Sequence, residues 1–456
     1  MDLPTLSLLT VVGIYVFLKL LSQLCTVPKE YLQQQSSVEP TRLAHESSIY
    51  KSIRYHSLRV GLDIRYDSYK IRSGNLNDIW SIAMAEAAQK RDKGIFINRE
   101  VLKYTYINYC ISEWQKKQEE PIESINIPID YTIDKKWVVG VLIGFILQIP
   151  VRFYERNKGK DKDKDKDKLS SGLDISNITL PTKEKEKLDF VNNYTPTKDR
   201  GIAIKYARQV RPGIDVLVEF TQLNLVSAVA SSIKHLPVDY SGKSMTIVPS
   251  ESFENISNSI VKLLMGFVSN MEIHIDYEAR FDTDMISLPD YVVDKNKLNK
   301  MSFISKLKLF ALNKGIFKST KLIYIQSNLD KPKFTSIEKN KLMISKNSHV
   351  IQEFHNFNVI GPILVTDYFE HRTYAPYFGA ISQSLEMKLI NFDPRTKSGN
   401  IMIRGYSIGK PTNFINGKVA ENDMHGNQYK KSSDGFMPLP LNIKGRWGTD
   451  GCLYIV

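Results

Sequence analysis

The run YARQVRPGIDV, Tyr206 to Val216, holds almost nothing that could grip a phosphate beyond Gly213 and the guanidinium groups of Arg208 and Arg211. A phosphate nest needs more than cations. Successive backbone N–H groups must converge on the anion, which calls for small residues, and hydroxyl donors complete the site. Here Gln209 and Val210 are bulky, Pro212 has no N–H to give, and Asp215 brings negative charge to the same place. Two like charges about 4 Å apart repel by roughly 1 to 4 kcal/mol near a surface. The run therefore predicts a poor phosphate site, with Arg208 and Arg211 as the only compensating charges.

Other candidates are weaker. The tetrapeptide SGKS, Ser241 to Ser244, has the ending of a Walker A loop, but position 237 is proline where that loop needs glycine, so a plain turn is expected. The eight histidines are scattered. His235 and His274 fall in helical and strand-like contexts with no partner at ligand spacing, which predicts packing or surface roles. Three cysteines, Cys25, Cys110 and Cys452, form no C-x-x-C pair and complete no zinc set. Neither a metal site nor a disulfide framework is expected, in keeping with a body that faces a reducing compartment. The tripeptides NIT at Asn177 and NYT at Asn193 would matter only in a luminal domain.

The elements that must position these residues come from a chain of 456 residues, long enough for two or three domains, with 42% apolar and 24% charged residues. The net charge of +13 suggests an anionic partner, nucleic acid or an anionic membrane leaflet. Lysines are spread as in DKNKLNKMSFISKLKLFALNKG and do not gather with aromatics and glycines into a nucleic-acid module, so no nucleic-acid partner is expected.

The first 28 residues carry no charge between Asp2 and Lys29 except Lys19, and Leu6 to Val27 has the roughly 20 apolar residues of a bilayer span. A basic leader and a cleavage site are missing, so residues 1–28 are expected to be a retained membrane anchor. Basic residues after it (Lys29, Arg42, Lys51, Arg54, Arg59) favour a cytosolic body. Residues 29–57 then read as a polar tether. A second apolar run, Trp137 to Tyr154, is interrupted by Gly140, Gly144 and Pro150 and reads as a buried helix entering a core strand.

Between these, periodicity predicts a helix at Ile79 to Lys90, a strand at Gly94 to Asn98 and a helix from Val101 to Trp114. Residues 155–200, with the KDKDKDKDK run, read as a charged low-complexity linker. Strand-like GIAIKYA, VLVEFT, SMTIVP, MEIHID and KLIYIQS then alternate with helical LVSAVASSIKHL and FENISNSIVKLLMGFV, the pattern of a layered α/β domain over residues 58–384. From Leu385 the pattern turns to hairpins, a β-rich subdomain over 385–456.

Five stretches together resemble the AMP-forming acyl-CoA synthetases, especially the long-chain fatty-acid type. FTQLNLVSAVASSIKHLP is similar to that family's L-T-H-x-N-L turn and helix. WVVGVLIGFILQIPVRFY resembles the helix leading into its V-P-x-Y strand. FGAISQSLEMKLIN matches V-G-x-P-x-P-G-x-E-x-K-L-V-D at Gly379, Glu386 and Lys388. SGNIMIRGYSI is similar to G-E-I-x-I-R-G-P-x-V, and GRWGTDGCLYIV to the G-x-W-x-x-D-G-x-L-x-I before the hinge. The order is the family's order over about three hundred residues. The resemblance implies an α/β adenylate-forming N-terminal domain with a small β-rich end, here preceded by one transmembrane helix. It also implies chemistry that joins a carboxylate to AMP and passes it to coenzyme A.

The catalytic motifs, however, are degenerate. Under Y-T-S-G-T-T-G stand Ala207, Arg208, Gln209, Val210, Arg211, Pro212 and Gly213, and Asp215 and Val216 fall under the following P-K pair. The strand end that receives adenine corresponds to YIQSNLD, Tyr324 to Asp330, without glycine or alanine. Y-G-x-T-E falls near Asp367 to His371, putting His371, or Glu370 after a one-residue shift, where magnesium is expected. T-G-D becomes LPL or LNI within Leu439 to Ile443, with Leu441 or Ile443 in place of the ribose-binding aspartate. Ser252 stands for a usual histidine. Past Val456 the family continues into a C-terminal domain with the adenylation lysine, so that catalytic domain is expected to be absent.

The expectation is thus a catalytically inactive ligase-like membrane protein, on the endoplasmic reticulum or a lipid-droplet surface. It would act as a scaffold or as a subunit binding a protein partner, a fatty acid or another lipid. No cofactor is expected, and ATP with magnesium enters only if the alternative of a diverged, active fatty acid–CoA ligase holds. A lipid sensor is the second alternative and needs an open apolar cavity, typically about 300 to 1,000 Å³.

Overall fold

The computed structural model describes residues 3–25, 30–40, 43–54, 58–66, 70–90, 93–117, 122–156, 172–182, 185–189, 201–211, 214–415, 418–419, 432–439 and 443–456. The chain begins with α1 (Leu3–Cys25), α2 (Glu30–Gln33), β1 (Ser36–Glu39), β2 (Ile49–Ser52), β3 (Ile64–Tyr66) and β4 (Lys70–Arg72). Among the described residues no helix is long and apolar enough to cross a membrane. The side chains of α1 from residue 7 to residue 20 all stand exposed.

Next come α3 (Leu76–Gln89), β5 (Gly94–Ile97), β6 (Glu100–Lys103), α4 (Tyr104–Lys117), β7 (Ile125–Pro128), α5 (Lys135–Ile146), β8 (Val151–Tyr154) and β9 (Leu173–Asp174). Asn75 caps α3 in a reciprocal box with Asp78. The helix expected from Val101 starts at Tyr104, because Asn98 and Arg99 take φ of 49° and 76° and turn residues 100–103 back onto β5. Two left-handed residues make the tight turn that a two-residue hairpin needs. The apolar run from Trp137 is a buried helix feeding a core strand, as periodicity predicted. Every residue of α5 from Trp137 to Ile146 is buried. Its glycines are contact points: a Cβ on Gly144 would lie 2.4 Å from Val151 Cγ2, and one on Gly140 2.4 Å from Ile175 Cδ1.

The remaining elements are β10 (Ile202–Arg211), β11 (Ile214–Thr221), α6 (Gln222–His235), β12 (Ser244–Ile247), α7 (Phe253–Val268), β13 (Glu272–Ile275), β14 (Met285–Pro289), α8 (Lys295–Asn299), α9 (Phe303–Asn313), β15 (Leu322–Asn328), α10 (Ser336–Lys346), β16 (His349–His355), β17 (Leu364–Val365), β18 (Phe378–Ile381), β19 (Leu385–Asp393), β20 (Ser398–Gly405), β21 (Lys410–Ile415), β22 (Lys418–Val419), β23 (Met437–Pro438), β24 (Lys444–Trp447) and β25 (Leu453–Ile455). Thr221 and Asn224 form the box that starts α6, and Ser252 Oγ accepts from Asn255 N to start α7.

Two sheets carry the fold. The smaller runs β22-β21-β11-β10-β8-β7-β9. The larger has a parallel heart in which β5, β13, β12, β14, β15 and β16 are neighbours. One apolar cluster reaches from β7, β8, β10 and β11 through α3, α5, α6 and α7 to β12 and β13, so these helices fill the space between sheets. A second cluster lies under α9 and α10 on the outer face.

Three expected boundaries shift. The β-rich end is not hydrogen-bonded apart: β17 and β18 carry the larger sheet on through β25, β24, β20 and β19. The tether is partly built in, since β2 pairs with β19, Ser36 is fully buried and Gln35 N donates to Asp450 O. The linker is ordered at its centre, where β9 pairs with β7 and Ile175 and Ile178 are buried against α5. Apolar residues inside a polar segment explain that order; the Lys/Asp run itself lies outside the described residues.

Candidate functional site

The stretch that should grip phosphate is a β-hairpin. β10 and β11 pair antiparallel from Ile202↔Thr221 to Arg211↔Ile214, so only Pro212 and Gly213 separate the two strands. Those two residues lie outside the described residues, as do the side chains of Val210 and Arg211. Gln209 faces Asp215 across the ladder and is exposed, while Arg208 faces Val216, which is buried. β11 is bonded on its other edge to β21, from Ile214↔Ile415 to Glu219↔Lys410. Backbone groups committed to two ladders cannot also converge on an anion.

Of the two arginines, Arg208 is already paired. Arg208 Nη1 donates to Glu254 Oε1 at 3.0 Å, and its guanidinium lies 5.0 Å from the Phe357 ring centroid. Beneath it Tyr206 stacks on Phe253 with ring centroids 3.8 Å apart and donates to Glu155 Oε1 at 2.9 Å. This aromatic packing holds the hairpin flat against the start of α7. Sequence pattern had marked neither partner.

The later candidates serve internal contacts as well. Asp367 accepts from Arg54 Nη2 at 2.5 Å. Glu370 is fully buried and takes Arg372 Nε and Nη2 at 2.8 and 2.6 Å and Gln35 Nε2 at 3.1 Å. His371 is half-buried, its carbonyl accepting from Asn340 Nδ2 and its Nδ1 3.2 Å from Phe369 O. Ile443 is buried, and Leu441 lies outside the described residues. Asp367 and Glu370 therefore answer to the N-terminal segment and Arg372, whereas the hairpin answers to Glu155, Phe253 and Glu254. SGKS is not the turn expected but an irregular lead into β12, where Asp284 Oδ2 accepts from Lys243 N, Ser244 N and Ser244 Oγ at 2.8 to 3.2 Å. His274 stacks on Phe96, and His235 Nε2 sits 3.0 Å from Thr366 O. Burial and the nearby Arg54 push the His235 pKa down to about 4. Cys110 and Cys452 are buried and free. Among the described residues no group of three or more His, Cys, Asp or Glu is arranged to hold a metal.

The centre missed by sequence lies between α7 and the ends of β15 and β16. Lys262 Nζ meets Glu353 Oε1 at 2.6 Å with both side chains essentially inaccessible. Asn258 Nδ2 donates to Glu353 Oε2 at 2.9 Å, and Lys262 Nζ sits 3.4 Å from the Tyr324 ring centroid. Burial opposes the Glu353 charge, but Lys262 and His355 outweigh it and hold the pKa down at about 2. Burial lowers the pKa of Lys262, and Glu353 works against that shift. No pattern announces a pair 91 residues apart on a helix and a strand. The cavity beside it, bounded by Ser232, His235, Tyr324, Glu353 and Gln383, has a volume of about 10 Å³. That is room for one water. A groove of about 550 Å³ opens elsewhere, between the N-terminal segment and β24, lined by Ser36, Glu46, Tyr50, Phe392 and Trp447.

No family model matches the chain. The uncharacterized protein YHR045W of Saccharomyces cerevisiae is 23% identical over 532 residues, spanning 93% of this chain and 92% of that protein. Among solved structures, the luciferase-like enzyme of the mealworm Zophobas morio is similar at TM-score 0.58 and 10% identity, covering 88% of this chain and 98% of that one. A long-chain-fatty-acid–CoA ligase of Archaeoglobus fulgidus gives 0.55 and 12%, covering 88% and 87%. The o-succinylbenzoate coenzyme A synthetase of Bacillus subtilis, in complex with ATP and magnesium ion, gives 0.53 and 12%, covering 82% and 78%. The chain thus has the layered α/β fold of adenylate-forming enzymes. At such identities the likeness extends to fold alone.

Proposed function

We propose that this chain is a catalytically silent protein on the acyl-CoA-ligase-like adenylate-forming fold. It works by contact, as a scaffold or a partner- or lipid-binding subunit in lipid metabolism, with α1 holding it to an endoplasmic-reticulum or lipid-droplet membrane. One observation carries the silent reading: the stretch matched to a phosphate loop is paired as a β10–β11 ladder from Ile202↔Thr221 to Arg211↔Ile214, and β11 is bonded along both edges. A triphosphate approaching these strands meets backbone groups already paired in ladders and an Arg208 already held by Glu254.

The filled interior argues the same way. Tyr324 and Gln326 occupy the strand matched to the adenine seat, and Gln326 Nε2 donates to Ser287 Oγ at 2.8 Å. A cavity for one water beside Glu353 gives a fatty-acid tunnel no start there. Support for the anchor is the run of exposed apolar side chains on α1, among them Leu8, Val11, Tyr15 and Phe17, each at least 63% exposed.

The test is direct. The purified full chain, given ATP, magnesium and fatty acid, should form no acyl-adenylate or acyl-CoA, and calorimetry should detect no heat up to millimolar ATP. Saturable turnover above a blank would reverse the reading in favour of a diverged ligase. The anchor is tested apart from it: the chain should stay with membranes through alkaline washing, and release by that wash would remove α1 from this role.

A further inference from the structure

Helix α9 turns the wrong side outward. Phe303, Ile304, Leu307 and Phe310 are 75%, 66%, 55% and 64% exposed, whereas Leu312 is fully buried and Leu309 packs on the outer apolar cluster. At about 100° per residue, Phe303, Leu307 and Phe310 fall within about 60° of one another, opposite Leu309 and Leu312. This is a formed helix and no frayed loop: Ser302 Oγ accepts from Ser305 N at 3.2 Å.

Charge surrounds the stripe. The same geometry puts Lys306 on one flank and Lys308 on the other, and Lys314 Nζ stands 5.8 Å from the Phe310 ring centroid at its end. From Lys295 to Leu329 the sequence has eight lysines and no aspartate or glutamate. Lys295 and Lys297 pair with Glu338 and Asp294; Lys306, Lys308 and Lys314 have no ion-pair partner among the described residues. An apolar face at the centre with cations on both edges matches a surface that is apolar inside and anionic at its rim.

We infer that α9 lies in the plane of an anionic lipid surface, its phenylalanines and leucine entering the headgroup boundary and its lysines meeting lipid phosphate and carboxylate groups. This contact is separate from the nucleotide-site reading and from α1, so either can fail without the other. It also accounts for lysines that are spread through this segment without forming a nucleic-acid module.

The experiment uses the full chain with Cys25→Ser, leaving Cys110 and Cys452 buried, and Leu307→Cys carrying a polarity-sensitive fluorophore. Probes are neutral phosphatidylcholine vesicles and the same vesicles with about 30 mol % phosphatidylserine, both with nitroxide-bearing lipid as quencher. Overall vesicle attachment reports α1; the label reports α9. The label should shift to the blue and be quenched on the anionic vesicles, weakly on neutral ones, and the difference should shrink with salt. Lys306→Ala or Lys308→Ala should weaken the contact about fivefold each at low salt. A label that stays aqueous on anionic vesicles overturns the inference. So does equal burial on both vesicles, or burial only when a soluble partner protein is added.

Discussion

Helices α7 and α9 both combine Phe, Leu and Ile with lysine, yet they do opposite things. Helix α7 is buried from Phe253 to Phe267 and takes a lysine inside with it; α9 buries Leu312 and leaves four large apolar side chains in the open. The difference lies in what faces each. Lys262 meets Glu353 and the Tyr324 ring, which stand in for its lost water, while Lys306 and Lys308 keep theirs. A charged residue on an apolar helix thus reads as an internal pair or as a surface cation only once its neighbours are known.

The contrast breaks most visibly at the internal pair. Lys262→Met leaves a buried carboxylate alone and should cost about 3 to 5 kcal/mol in denaturant unfolding. The double variant Lys262→Met with Glu353→Leu should recover most of that loss, and failure to recover would mean the pair does more than satisfy itself. A smaller effect follows from pH. His349 is buried with Nδ1 3.1 Å from Tyr368 O, and burial lowers its pKa to about 4, as for His235. The unfolded chain takes up these protons near the ordinary 6.5 while the folded chain refuses them. Stability is therefore full above about pH 6.5 and falls towards pH 4, by about 1.4 kcal/mol per unit for each histidine at most. Melting curves across that window check it, and His349→Gln should flatten the slope. Glu353 acts lower: held near 2, its contribution fades only as pH drops from about 4.5 towards 2. The smallest effect belongs to α9, where Leu307→Glu or Phe310→Glu should change unfolding by no more than about 0.5 kcal/mol. A large loss there would mean the stripe packs against protein.

Bulky residues, a proline and an aspartate under the phosphate-loop positions predicted a poor nest from composition; what composition did not contain is the pairing of β10 with β11 from Ile202↔Thr221 to Arg211↔Ile214. The helix from Trp137 was legible because an unbroken run of apolar residues with two glycines and no charge has few other fates. The start of α4 was not, because Val101 and Leu102 carry no mark that distinguishes a strand returning on β5 from a first helical turn. Nor did polar composition reveal that residues 36–39 and 49–52 would extend the larger sheet.

By itself the sequence determined the alternation of strands and helices, the buried helix from Trp137, and the bulky residues, proline and aspartate that stand between Gln209 and Asp215. These depend on neighbours a few positions away, which a linear reading contains. Tertiary structure alone decided that Glu370 and Asp367 face arginines, that Lys262 and Glu353 share one interior, and that α9 shows its apolar face to solvent. Those outcomes are set by which surfaces meet across hundreds of residues, and a side chain's charge state and exposure follow from its surroundings.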